Sequence, residues 1–155
     1  MQNSISFLSN TGENHKVIFL DLLAQADEIV FAVGFLKNSG LQNLKEELKE
    51  FCSDNNKKST FYIGTGLGET DPDALQGLYN ILKTNSNHQL VLCTPDAGIF
   101  HPKIYVFCVE DKVTIITGSA NLTQHGWAVN DEVSIVVQTT SDSAEYLQLV
   151  DYFNM

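Results

Sequence analysis

The sequence predicts an α/β (α+β) domain in which a mixed β-sheet is flanked by helices on both faces. Three observations carry that prediction. Up to Cys93, segments with helical spacing of apolar residues alternate with short apolar runs of strand length. From Lys103 onward strand-like runs cluster, the first two separated only by Glu110 and Asp111. The chain has 155 residues, 43% of them hydrophobic, enough for one domain with a real core. It contains no internal repeat, proline-rich linker or low-complexity tract, so residues 1–155 read as a single unit.

In chain order, residues 16–26 (KVIFLDLLAQA) place Val17, Leu20 and Leu23 at helical spacing, and the run EIVFAV at 28–33 follows as a buried strand. Ser39 has the chemistry of an N-cap. Behind it Leu41, Leu44, Leu48 and Phe51 form one apolar stripe, while Lys45, Glu46, Lys49 and Glu50 face water. Residues 59–64 (STFYIG) read as the next strand. A third helix starts near DPDALQ, with Pro72 in its first turn and Leu75, Leu78, Tyr79 and Leu82 as its apolar face. Strands follow at 89–93, 103–109, 112–117 and 132–138. The stretch from Ser141 to Met155 is helical in pattern and still amphipathic where it stops, as in a domain that is the N-terminal part of a longer protein.

Composition excludes several classes. No 18-residue apolar run occurs, which argues against a spanning helix, and the first sixteen residues lack the basic and apolar regions of a secretory signal, so a cytoplasmic location is expected. There are 19 acidic against 9 basic residues, a formal charge of −10, and every basic residue is Lys. Without the planar fork of Arg, sequence-specific base reading by this chain alone is not expected, and no basic face announces nucleic acid. Cys52, Cys93 and Cys108 form no C-x-x-C pair, and the four histidines form no H-E-x-x-H, so the thiols read as reduced, mostly buried hydrophobes and no metal or cofactor is expected.

The chemistry concentrates between Phe100 and Val137. His101 and Lys103 stand two residues apart at the start of a strand, so their side chains project into the same space: one offers a nucleophile, the other a fixed positive charge. The run Gly118-Ser119-Ala120-Asn121 ends the following strand in small and turn-forming residues, which lets N–H, hydroxyl and amide groups approach an anion. Glu132 begins the next strand, and its carboxylate, or that of neighbouring Asp131, can hold one ring nitrogen of His101 and leave the other to react. Together these residues outline a phosphoryl-transfer site.

At these residues the sequence resembles the phospholipase D superfamily, whose signature is H-x-K, a variable spacer, then G-S-x-N. Here the motifs read His101-Pro102-Lys103 and Gly118-Ser119-Ala120-Asn121. The family's usual Asp five residues after the Lys is replaced by Cys108, and Glu132 matches the downstream Glu of the nuclease branch. The run from Gly118 to Val137 looks most like the phospholipase-D-like nuclease domains of certain restriction endonucleases and of domains fused to DEAD/DEAH helicases. The resemblance implies a phospholipase-D-like fold and metal-independent phosphodiester hydrolysis of nucleic acid, DNA in particular. In that chemistry His101 is the nucleophile that forms a phosphohistidine, Lys103, Ser119 and Asn121 stabilise the transition state, and Glu132 orients His101. The family chemistry needs two histidines across one phosphorus and this chain has one H-x-K, so the resemblance also implies a homodimer with a shared site. A catalytically silent nucleic-acid-binding or assembly module of a larger protein stays open beside the nuclease. A lipid phosphodiesterase is disfavoured by the single motif copy, the missing Asp and the lack of a membrane-binding helix.

Other segments offer weaker chemistry. GTGLGET at 64–70 lacks the Lys-Ser/Thr of a P-loop and reads as a flexible loop that borders the cleft. His125 and Trp127 follow the G-S-x-N turn and either stack on a base or anchor the turn, the latter favoured. His15 and His88 lie in polar segments and are given no role.

Overall fold

Alternation along one central strand sets the layers of the molecule. The computed structural model describes residues 3–12 and 14–154; Met1, Gln2, Glu13 and Met155 lie outside the described residues, and with them the last position of the C-terminal helical stretch. The elements run β1 (Ser4–Ser9), α1 (His15–Gln25), β2 (Glu28–Val33), α2 (Asn38–Ser53), β3 (Lys58–Gly64), α3 (Pro72–Leu82), β4 (His88–Cys93), β5 (Lys103–Val109), β6 (Lys112–Gly118), a π-helical turn (His125–Val129), β7 (Val133–Thr140) and α4 (Ala144–Phe153). They build a seven-stranded sheet in the order β1-β7-β6-β5-β2-β3-β4. β2, β3 and β4 are mutually parallel, and β5, β6, β7 and β1 continue the sheet antiparallel. Tyr105 and Phe107 of β5 enter the larger core with α1, α2 and α3, whereas Val106 and Cys108 enter a smaller one with Tyr146 and Leu149 of α4. The mixed sheet with helices on both faces is as expected.

Details of phase depart from the sequence reading. α1 buries His15, Phe19 and Leu23 and leaves Val17 exposed, because its nearly continuous apolar run does not by itself choose a face. α2 buries the expected stripe, yet Ser39 does not cap it: Asp71, from the segment before α3, accepts the Asn38 N–H at 2.9 Å, and Ser39 Oγ accepts the Gln124 N–H at 3.4 Å. α3 starts at Pro72 as expected but turns Ala74 and Ile81 inward and Tyr79 outward. β7 begins at Val133, one residue later than expected, so Glu132 precedes the strand. β1, which the sequence reading did not assign, pairs with β7 from Ser4 opposite Gln138 to Ser9 opposite Val133.

Three side chains that the sequence reading did not place in the core, Trp127, His15 and His88, are buried. Trp127 is 1% exposed, edge-on to Phe19 at 4.7 Å between centroids, and its indole N–H donates to Tyr105 Oη at 3.4 Å; it is core, not a stacking platform. Tyr105 Oη in turn donates to the Ala120 carbonyl at 2.8 Å, which ties the aromatic core to the G-S-x-N turn. His15 is fully buried and hydrogen-bonded through both ring nitrogens, and His88 is buried with Nδ1 at 3.0 Å from Ser59 Oγ. Among the described residues no helix is long and apolar enough to cross a membrane.

Trp127→Ala is expected to cost about 3–5 kcal/mol in urea denaturation, the range for emptying a fully buried aromatic site. A loss below about 1 kcal/mol would show that the indole is not a core element.

Candidate active site

The sheet brings the two motifs to one end of neighbouring strands. β5 begins at Lys103 and β6 ends at Gly118, with Ile104 opposite Thr117. The resulting open cleft, about 680 Å³, is lined by Phe35, His101, Lys103, Thr117, Ser119 and Asn121, among others. Lys103 Nζ lies 2.9 Å from His101 Nδ1, 3.0 Å from Nε2 and 3.1 Å from the His101 carbonyl oxygen. Burial pulls the Lys103 ammonium below its ordinary pKa, and the nearby Glu132 carboxylate opposes that. His101 is exposed, and Lys103 is half-buried.

Small residues let the backbone close in behind the imidazole. A Cβ on Gly34, at the end of β2, would meet His101 Cδ2 at 2.9 Å and His101 Cα at 3.1 Å, and the Gly34 N–H donates to the Pro102 carbonyl at 2.9 Å. Phe35 follows. Its ring lies 5.1 Å from the imidazole at 65°, and Lys103 Nζ sits over it 5.8 Å from its centroid, so one aromatic ring supports both motif side chains.

The G-S-x-N turn is equally constrained. A Cβ on Gly118 would collide with the Val133 carbonyl and with Ser134, so β6 can end beside β7 only with glycine there. Asn121 Oδ1 accepts the Phe35 N–H at 3.2 Å, which assigns its amide oxygen; among the described residues its NH₂ group has no hydrogen-bond acceptor. Ser119 Oγ donates to Glu132 Oε2, and Asn130 Nδ2 donates to Glu132 Oε1 at 3.2 Å. Asp131 is exposed and takes none of these bonds. The carboxylate expected to hold a His101 nitrogen thus rests on Ser119, because the turn places the hydroxyl nearer. His125 lies in the π-helical turn and does not line the cleft, nor does any described residue of the GTGLGET loop. Gly34, Phe35 and Asn130 escaped the sequence reading, although a glycine ending an apolar strand is itself a signal of close backbone approach.

Fold and motifs together define a member of the phospholipase D superfamily. Residues 13–155 match the sequence profile of the NgoFVII restriction endonuclease N-terminal PLD domain, and the chain belongs to that family. No curated protein sequence matches it. Among solved structures it is similar to NucT from Helicobacter pylori, with a TM-score of 0.72 at 16% identity over 99% of this chain and 94% of that one. Nuc from Salmonella typhimurium, a phospholipase D family member, gives 0.70 at 19% identity over 99% and 93%. A phosphatidylserine synthase from Haemophilus influenzae Rd KW20 gives 0.69 at 14%, with 97% of this chain covering 37% of that one. At such identities the likeness is one of fold.

Gly34→Ala is expected to push the imidazole aside, with a stability loss of about 1–3 kcal/mol in urea denaturation. Unchanged stability would show that the close approach does not constrain the backbone behind His101.

Proposed function

We propose that the protein is a nuclease that hydrolyses nucleic-acid phosphodiesters, DNA in particular, through a phosphohistidine and without a metal ion. The observation that carries this reading is the contact of Lys103 Nζ with the His101 ring in a cleft that also presents Ser119 and the NH₂ group of Asn121. An imidazole nitrogen of His101 attacks phosphorus, and the bond to the leaving strand's oxygen breaks as a second histidine protonates it. Water, deprotonated by that second histidine, then attacks the same phosphorus, the P–N bond breaks, and neutral His101 returns. The Lys103 ammonium and the Asn121 amide offset charge on the phosphoryl oxygens. When a phosphate takes the Ser119 hydroxyl, Glu132 Oε2 is released to accept an imidazole N–H, which keeps the ring oriented and raises its basicity.

His101 of a partner subunit supplies the second histidine. The chain has one H-x-K, so a two-fold axis through the cleft completes the site. Support comes from an exposed apolar strip: Ile5 (72%), Phe7 (77%), Val133 (55%) and Ile135 (40%) lie on β1 and β7, and Ile135 pairs with Thr117 of the cleft. Exposed apolar side chains clustered on an edge strand favour a covering partner.

Turnover of a single-stranded oligonucleotide is expected to persist in EDTA, and His101→Ala and Lys103→Ala are each expected to lower it by about 1,000-fold or more while the fold survives. Loss of activity in EDTA with recovery in magnesium would overturn the metal-free mechanism. Sedimentation is expected to show twice the 17.2 kDa chain mass, and mixed dimers of wild type with His101→Ala are expected to be nearly inactive. A fully active monomer would remove the shared site.

A further inference from the structure

Beneath the cleft lies a polar cluster that the chemistry above does not use. Asn10, in the turn between β1 and α1, has both ends of its amide occupied. Its Nδ2 donates to the carbonyls of Gly126 at 3.1 Å and Asn130 at 2.9 Å, and its Oδ1 accepts from the His15 N–H at 3.1 Å and from His15 Nδ1 at 2.7 Å. Its own backbone N–H donates to the Glu132 carbonyl at 3.2 Å. Two carbonyl acceptors fix which end of the amide is NH₂, so Oδ1 faces His15 and Nδ1 must carry the proton. In the neutral ring Nε2 is then the acceptor, and Ser134 Oγ, 2.8 Å away, donates to it.

These bonds hold, from two sides, the segments that carry Glu132 and Ser119. Through Asn10 they hold Asn130 and Glu132, the segment whose side chains place the carboxylate. Through His15 they hold Ser134, which pairs with Gly118 and sits where a Gly118 Cβ would lie, next to Ser119. Burial lowers the pKa of His15 and the Glu132 carboxylate opposes the shift, consistent with a neutral ring close to that carboxylate.

We propose that Asn10 and His15 are positioning residues for the active site, a buried clamp that fixes the backbone segment carrying Glu132 beside the Gly118–Ser119 turn and so places the carboxylate that orients His101. The inference rests on the nuclease reading, since it assigns Glu132 and Ser119 to that site. Neither clamp residue touches the cleft, so the effect belongs in kcat and not in KM.

The test is a double-mutant cycle on the full chain, with bis(4-nitrophenyl) phosphate as the probe. Asn10→Asp keeps the size and the acceptors for His15 but removes both donated bonds. It is expected to lower kcat on the order of 10- to 100-fold with KM changed less than about threefold. In a Glu132→Ala background the same substitution is expected to change kcat by less than about twofold, because the group it positions is gone. If Asn10→Asp does not fold, Ser134→Ala, which removes the hydroxyl on His15, runs the same cycle. Equal losses in both backgrounds mean that the cluster only stabilises the fold and overturn the clamp alone, as does an unchanged kcat in the folded single variant. A wild-type chain without turnover overturns the nuclease reading and the clamp with it.

Discussion

Burial of β5 on both faces is the constraint around which the rest of the molecule is arranged. Antiparallel to β2 on one side and to β6 on the other, it joins the parallel half of the sheet to the antiparallel half. Its odd-numbered aromatics, Tyr105 and Phe107, pack with Phe19, Phe31 and Trp127, and its even-numbered residues Val106 and Cys108 pack under α4. A strand so held cannot slip by one residue without exchanging its two faces. Lys103, its first residue, and His101 just before it inherit that fixed register.

The G-S-x-N turn is tied to the same strand by a different bond. Tyr105 Oη donates to the Ala120 carbonyl, between Ser119 and Asn121, and takes a hydrogen bond from Trp127. Burial pushes the Tyr105 phenol pKa far up, so it remains a donor across the accessible pH range. Close backbone approaches at Gly34 and Gly118 complete the assembly, because a methyl group at either place would collide with the motif residues or with β7. Rigidity reaches the cleft from the core through a few short paths, so the motif side chains are held in place by the fold itself.

Charge has a similar economy. The chain carries −10 overall, and among its nine lysines Lys103 is the one that lines the cleft. Glu132 balances it, taking hydrogen bonds from Ser119 and Asn130 and acting on Lys103, His15 and Tyr105 through space. One carboxylate at the junction of β6 and β7 thus couples the motif residues to the buried polar cluster on α1.

The sequence by itself determined the α/β class, the strands from β2 onward, the stripe of α2 and the two motifs, because strand alternation and helical period are local and H-x-K and G-S-x-N each lie within a few residues. Tertiary structure decided what depends on segments far apart in the chain. β1 acquires its place only from β7, about 130 residues away by register. The cap of α2 comes from Asp71 and the inward face of α1 from the cores of β5 and the π-helical turn. Phe35 beneath the imidazole, Trp127 in the core and Glu132 on Ser119 have no local signature. A side chain's partner is set by which strands lie side by side, and no periodicity within a segment records that.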